Sequence, residues 1–354
     1  KGRASIKNFS KPLYGFDLAL NQLNLDYYAL AEQTEAITEK SPATKKTPAK
    51  KKAPATKNTS TAPLFPVDTL RQLNLDGQLA IAQFIAGKAK MSNVLIVLKG
   101  KNGLVQLAPL KADLYKGTIN LKTDIDVRGK TPKLKIINDL KNVQIGDLLL
   151  ETTGSQEFTG TANISTNITT SGNDQKHLLK NSNGTAKLLV TDGHIKKLDV
   201  ISTLRKALAL YRGKKAPTEE QDKNTKFTEL KATLAIKNGV IHNNDLTSKS
   251  PVISVTGKGY ADLPKEYMDY TLMVTLLDSL KIDKKSQGAD LSSKSIPYTI
   301  KGKFSELSET ADVSKVLGDE VKRRAQKELD KQLDKHKDKL GKDLGDKLKG
   351  FLKF

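Results

Sequence analysis

Side chains that could do acid–base or metal chemistry are few and scattered in this sequence. The four histidines are His177, His194, His242 and His336. No two of them have the spacing of a helical zinc-binding motif. Asp124 and Asp126 would lie side by side on the polar face of a strand, where solvated carboxylates are commoner than a catalytic pair. The sequence therefore predicts a protein that is not an enzyme and needs no metal ion or other cofactor.

Composition and charge exclude further classes of protein. The chain has 354 residues, enough for one or two domains, and no cysteine, which excludes disulfides and thiolate chemistry. Lysine and arginine number 60 against 39 acidic residues, giving a net charge of +21. A basic chain can bind nucleic acid, but tryptophan is absent and aromatic residues make up only 5%. Because base stacking needs aromatic side chains, we predict no nucleic-acid partner.

Apolar and polar residues alternate in three long segments, 119–127, 162–168 and 268–276. A period of two indicates strands with one apolar and one polar face, which is typical of antiparallel sheets. The sequence contains no run of ~18 apolar residues, and so it predicts no transmembrane helix. The predicted fold class is mainly β with short helices (α+β), built of meanders that form a curved antiparallel sheet.

Turn and helix signals divide this sheet into hairpins. Asn102–Gly103, Asp192–Gly193 and Asn238–Gly239 each separate two apolar runs, and such pairs supply the positive φ angles of hairpin turns. Short helices are predicted over 67–73, 145–150, 175–180 and 198–212. The predicted domains are a sheet fragment at 1–34, a linker at 35–64, a sheet domain at 65–306 and a helix at 311–354.

The linker and the C-terminal helix carry twelve of the 21 net positive charges. Residues 40–61 hold seven lysines, several prolines and no acid, a composition that predicts a disordered, extended segment. Apolar residues recur at helical spacing through 313–354, with lysine-rich flanks. Three alternatives stay open: a solvated or coiled-coil helix, a helix on an anionic membrane surface, or a helix against a partner. Candidate membrane-surface residues are Lys322, Arg323, Arg324, Leu329, Leu333, Leu340, Leu344, Leu348 and Phe351.

Several segments, in order along the chain, resemble motifs of the C-terminal region of the AsmA family. The segment 74–81 resembles a strand opening of the family, and 101–117 is similar to its turn-and-strand motif. The segment 257–263, followed by Asp269–Tyr270, resembles the closing motif. The lysine-rich linker departs from the family pattern.

The resemblance implies a periplasmic protein of the Gram-negative envelope, anchored in the inner membrane by an N-terminal segment outside this chain. It also implies an apolar β-groove similar to that of bridge-like lipid transfer proteins, with phospholipid as ligand. Further implied partners are an anionic membrane surface and envelope-assembly proteins. The residues predicted to line the groove are Ile119, Leu121, Ile125, Val127, Ile164, Ile168, Leu272 and Val274. The alternative is a scaffold for outer-membrane protein assembly whose apolar face is a sealed core, since the period alone does not separate an open groove from a core.

Overall fold

One β-sheet dominates the computed structural model. The structure describes residues 1–10, 12–27, 63–196, 224–277 and 294–314, together with 200, 202, 204 and 318. These residues form a sheet of fifteen strands that lie side by side in chain order. The strands are β1 (Gly2–Lys7), β2 (Leu13–Asn24), β3 (Leu75–Ala86), β4 (Ala89–Lys101), β5 (Leu104–Leu114), β6 (Gly117–Asp126), β7 (Lys133–Gln144), β8 (Thr161–Ser171), β9 (Asn183–Lys196), β10 (Asn224–Lys237), β11 (Val240–Lys249), β12 (Ile253–Asp262), β13 (Tyr267–Leu276), β14 (Ser295–Lys303) and β15 (Glu306–Ala311).

The prediction of a mainly β, curved sheet is confirmed, but the prediction of a purely antiparallel sheet is wrong at one pair of strands. Strands β2 and β3 are parallel, with Leu20 opposite Ile81, and the other neighbouring pairs are antiparallel. In a parallel pair both strands start at the same margin of the sheet, so the connection must bring the chain back from the end of the first strand to that margin. The chain between Asn24 and Leu75 is long enough to do so, whereas a hairpin turn is not.

Two of the three predicted Asn-Gly and Asp-Gly turns are confirmed. Asn102–Gly103 joins β4 to β5, and Asn238–Gly239 joins β10 to β11. The prediction at Asp192–Gly193 is wrong, because both residues lie inside β9. Asp192 has a φ of 51°, and the buried positions on either side, Val190 and Gly193, are three residues apart instead of two. The left-handed residue therefore makes a local bulge in a continuous strand without reversing the chain.

Three short helices lie wholly within the described residues, each at a predicted position: α1 (Val67–Gln72), α2 (Ile145–Thr153) and α3 (Gln175–Lys180). The carboxylate of Asp174 accepts a hydrogen bond from the backbone N–H of His177 and so caps α3. Of the helix predicted over 198–212, only three residues are described, and all three are helical. No helix in the described ranges is both long and apolar enough to cross a bilayer.

Two predicted segments lie outside the described residues. The linker of 35–64 is described only from residue 63, and the basic helix of 311–354 only through Ser314 and at Gly318. Strands β1 and β2, which belong to the predicted fragment 1–34, continue the same sheet as β3–β15. The first 27 residues and the larger sheet therefore share one hydrogen-bonded layer.

Three hydrophobic clusters form the core, and each joins strands that are neighbours in the sheet. One extends over β2–β6 around Ile81 and Phe84. A second lies on β8–β10 around Val190 and Phe227. The third lies on β12–β14 around Tyr298 and extends to Val200, Leu204 and Val313 beyond those strands.

Candidate functional site

The strand register places the inward-facing side chains in rows that cross the sheet. Residues directly opposite one another on neighbouring strands point to the same face, so each row can be followed from strand to strand.

Three parallel rows differ in exposure. The buried row is Phe84, Leu114, Val143, Ala162, Val190, Leu230, Val255, Val274 and Ile296. The central row is Leu18, Leu79, Ile96, Leu110, Leu121, Asn138, Thr166, Ala186, Leu234, Asn243, Gly259, Tyr270 and Ile300. The open row is Phe16, Gly77, Leu98, Leu107, Thr123, Ile136, Ile168, Gly184, Ile236, Ile241, Ala261, Met268 and Gly302.

The buried row lies close to the margin of the sheet where β3, β5 and β7 end, which we call the A margin. Non-strand segments pack over it there. Phe158, in the loop after α2, stacks on Phe227 with ring centroids 5.8 Å apart. Val200 and Leu204 pack against Ile253 and Leu276. Over β8–β10 and β12–β14 the A margin of the apolar face is therefore a sealed core.

Helix α2 is tied to the A margin by a polar contact. Lys90 donates to the carboxylate of Glu151 over 2.8 Å, and the Tyr115 hydroxyl donates to the same carboxylate over 2.7 Å. These two hydrogen bonds hold the pKa of Glu151 below its usual range. A cavity of about 690 Å³ lies beside this contact, with Phe84 and Leu114 in its wall.

The opposite margin, where β3, β5 and β7 begin, is the B margin, and the chain before β3 crosses it. Asn173 follows β8 and holds this segment by two hydrogen bonds. Its backbone carbonyl accepts one from the N–H of Leu64 over 2.8 Å, and its side-chain Oδ1 accepts one from the N–H of Phe65 over 2.7 Å. Arg71 of α1 then donates to the carbonyl oxygens of Val127 and Gly129, each over 2.9 Å. Residues 64–72 thus form a strap from β8 towards β3 that covers one stretch of the B margin.

The open row lies between these two covered margins. All thirteen of its residues are half-buried, and eight of them are large apolar side chains. At ~4.8 Å between strands, a row from β2 to β14 runs for ~58 Å. The described residues therefore contain one long apolar strip that a ligand can reach.

A polar network interrupts the apolar face on β10–β13. Tyr270 donates a hydrogen bond to Oδ1 of Asn243, and the Asn243 amide donates to Asp245 over 2.7 Å and to the Thr233 carbonyl over 2.9 Å. The Tyr270 ring reaches Asn243 by crossing β12 at Gly257, where a Cβ would lie 2.9 Å from the ring. Burial, and then the carboxylate of Asp245, raises the pKa of Tyr270 to about 12.

This raised pKa predicts a pH dependence of stability. A tyrosine in the unfolded chain has a pKa of ~10. The unfolded state therefore releases the Tyr270 proton first, so the stability that this group contributes is complete below pH ~10 and is lost as the pH rises towards about 12. Urea unfolding at a series of pH values should show a steeper decline over this range for the wild type than for Tyr270→Phe. Parallel curves for the two proteins would contradict the assigned pKa.

Charged side chains lie on the opposite face of the sheet and pair with one another there. Lys301 contacts Asp269 at 2.6 Å, and Arg128 contacts Asp126 at 2.7 Å. The hydrogen bond from Arg128 lowers the pKa of Asp126 to about 2. In the described part of the chain, no three His, Cys, Asp or Glu side chains come together as metal ligands would.

The structure brings the eight predicted lining residues to one face but not to one environment. Five are half-buried: Ile119, Leu121, Ile125, Ile164 and Ile168. Three are fully buried: Val127, Leu272 and Val274. Ile168 belongs to the open row and Leu121 to the central row, whereas Leu272 and Val274 belong to the sealed core. The predicted membrane-surface residues from Lys322 to Phe351 lie outside the described residues.

Sequence reasoning missed most of the open row and the polar residues of the central row. Ile136, Ile236 and Met268 lie in alternating segments, so their inward position could have been read from the sequence. Asn138 and Asn243 carry no such signal, because an asparagine in an alternating strand ordinarily belongs to the polar face. The bulge after Asn243 in β11 shifts the alternation there, whereas Asn138 lies in phase with Ile136 and Leu140, ahead of the bulge in β7.

The described residues thus form a long open sheet with an apolar strip along one face. Residues 4–246 match the model of the AsmA family, and the chain belongs to that family. It is similar to Protein AsmA of Escherichia coli (strain K12), with 23% identity over 237 residues, which are 66% of this chain and 38% of that protein. The chain thus spans well under half the length of this relative. No solved structure matches the chain.

Proposed function

We propose that this protein binds phospholipid along the open row and conducts it without a chemical step. The observation that carries the proposal is the strip of thirteen half-buried residues between two covered margins, eight of which are large apolar side chains. Each methylene group removed from water contributes ~0.8 kcal/mol, so an acyl chain lying on this strip gains several kcal/mol. The head group stays near water, and no cofactor is needed.

We further propose that the protein works in the periplasm of a Gram-negative envelope and supports outer-membrane assembly and lipid homeostasis. Membership of the AsmA family supports this location. The charge supports contact with an anionic membrane surface, because a net charge of +21 attracts anionic head groups. An anchor in the inner membrane, outside this chain, belongs to the same proposal.

Mass spectrometry of the purified chain tests the lipid proposal directly. We expect phospholipid to co-purify and to be released by organic solvent, and delipidated protein to take it up again from vesicles. Protein that carries no lipid and takes none up would contradict the proposal.

The second candidate function is a scaffold for envelope assembly that uses the edges of the sheet. All six residues of β1 and five of the six in β15 are exposed, and each strand pairs on one side only within the described sheet. Unpaired strand edges can accept a strand of another protein. Lipid-free protein that still holds an envelope protein would favour this candidate over lipid binding.

A further inference from the structure

The central row changes character where it enters β7. From β2 to β6 it is wholly apolar, with Leu18, Leu79, Ile96, Leu110 and Leu121. The next two members are polar: Asn138 on β7 and Thr166 on β8, directly opposite each other. The line of side chains beside the open row is therefore hydrocarbon-like at one end and hydrogen-bonding in the middle.

Asn138 has a buried polar atom on this face, Oδ1, that lacks a hydrogen-bond partner in the described structure. The hydroxyl groups of Thr166 and Thr123 lie next to it, one opposite and one diagonal, and neither bonds to any described residue. Asn243, further along the same row, differs because Tyr270, Leu246 and Thr233 satisfy its amide. We call Asn138, Thr166 and Thr123 the polar station.

An unpaired amide in an apolar groove is unfavourable unless a ligand completes its hydrogen bonds. All three residues of the polar station are half-buried, and Thr123 itself belongs to the open row, so the station borders the open strip. An amide and two hydroxyls together can both donate and accept hydrogen bonds. The ester oxygens and head-group atoms of an acyl lipid need such partners, whereas its hydrocarbon chain does not.

The apolar part of the row has the length of one acyl chain. Four strand spacings of ~4.8 Å separate β2 from β6, a distance of ~19 Å. The chains of one bilayer leaflet fill about half of a ~30 Å hydrocarbon core. A lipid whose ester region rests at β7 can therefore lay ~15 Å of acyl chain beside this row, which is three strand spacings and reaches β4.

We propose that the polar station holds the polar end of a bound phospholipid and directs its acyl chain towards β2. This proposal rests on the proposed lipid-binding function and adds an orientation to it. The lipid then has a preferred resting direction in the groove, set by hydrogen bonds at Asn138 and Thr166 and by apolar contact along the open row from Leu107 back to Phe16.

Photocross-linking of the whole chain tests this orientation. The probe is phosphatidylethanolamine with a diazirine at the end of one acyl chain, added to delipidated protein in vesicles. We expect adducts on β2–β4, around Gly77 and Leu98 of the open row, to exceed those on β9–β13 by at least threefold. Since one hydrogen bond contributes ~0.5–1.5 kcal/mol, which is about twofold to tenfold in population, Asn138→Leu should reduce this ratio to about one.

Matched variants separate the possible outcomes. Asn120→Leu changes an exposed asparagine on the other face of β6 and should leave the adduct ratio unchanged. Thr166→Val should lower the ratio in the same direction as Asn138→Leu, and it serves as the second test if the leucine variant folds poorly. Equal adducts at both ends in the wild type, or a ratio unaffected by both variants, would overturn the orientation. A wild type with no adducts anywhere would instead overturn lipid binding itself.

Discussion

Ile168→Asp is expected to reduce the phospholipid that co-purifies with this protein by at least tenfold. Ile168 lies at the middle of the open row. It pairs with Ile136 on β7, two residues before Asn138. An unpaired carboxylate beneath an acyl chain loses its hydration, which costs several kcal/mol, and ~1.4 kcal/mol already corresponds to a factor of ten in binding. The lipid-to-protein ratio from mass spectrometry measures the effect.

The neighbouring residue supplies the control for this variant. Asn167 is exposed on the opposite face of β8, so Asn167→Asp adds the same charge without reaching the groove and should leave the lipid content unchanged. Ile168→Lys should lose as much lipid as Ile168→Asp, because desolvation of a charge opposes binding whatever its sign. If the lysine variant gained lipid, attraction to anionic head groups would explain binding better than the apolar strip does. Wild-type lipid content in both Ile168 variants would exclude the open row as the binding surface.

Leu272→Ala should lower the free energy of unfolding by ~2–5 kcal/mol and leave lipid binding unchanged. Leu272 is 7% exposed, and it packs in the core cluster of β12–β14, which also contains Val200 and Leu204. Removing most of its side chain leaves a cavity there, because the surrounding strands are fixed by their hydrogen bonds. Chemical denaturation of delipidated protein measures the loss.

The next residue along β13 tests the assignment of faces. Met273 points away from the core and is 36% exposed, so Met273→Ala should change the free energy of unfolding by less than ~1 kcal/mol. Similar losses for the two alanine variants would contradict the sealed core. A loss of bound lipid in Leu272→Ala, with little loss of stability, would show that this part of the face is also groove.

The strands, most turns and the short helices could be predicted from local sequence alone. Alternation at 119–127, 162–168 and 268–276 corresponds to β6, β8 and β13. Helix α3 lies at its predicted residues, and Asn102–Gly103 reverses the chain as expected. The prediction of a hairpin turn at Asp192–Gly193 was wrong because a residue with positive φ occurs in β-bulges as well as in hairpin turns. Only the pairing of β9 with its neighbours on both sides decides which of the two forms.

The distinction between groove and core was not available from the sequence. Ile168 and Leu272 both occupy apolar positions of alternating strands, yet the first is half-buried and the second is sealed. What separates them is which segments pack over each row, and those segments come from distant parts of the chain. The strap at Leu64–Phe65 reaches Asn173, more than a hundred residues away. No local pattern encodes such a contact.

The sequence by itself determined that this protein is a β-sheet with one apolar and one polar face. Period-two alternation fixes which side of a strand is apolar, because successive side chains point to opposite faces. Tertiary structure alone decided that part of this face is covered, that part is open, and that Asn138 lies unpaired beside the opening. The physical reason is that the burial of a residue depends on which segments pack over it. The face to which its side chain points depends only on its place in the alternation along its own strand.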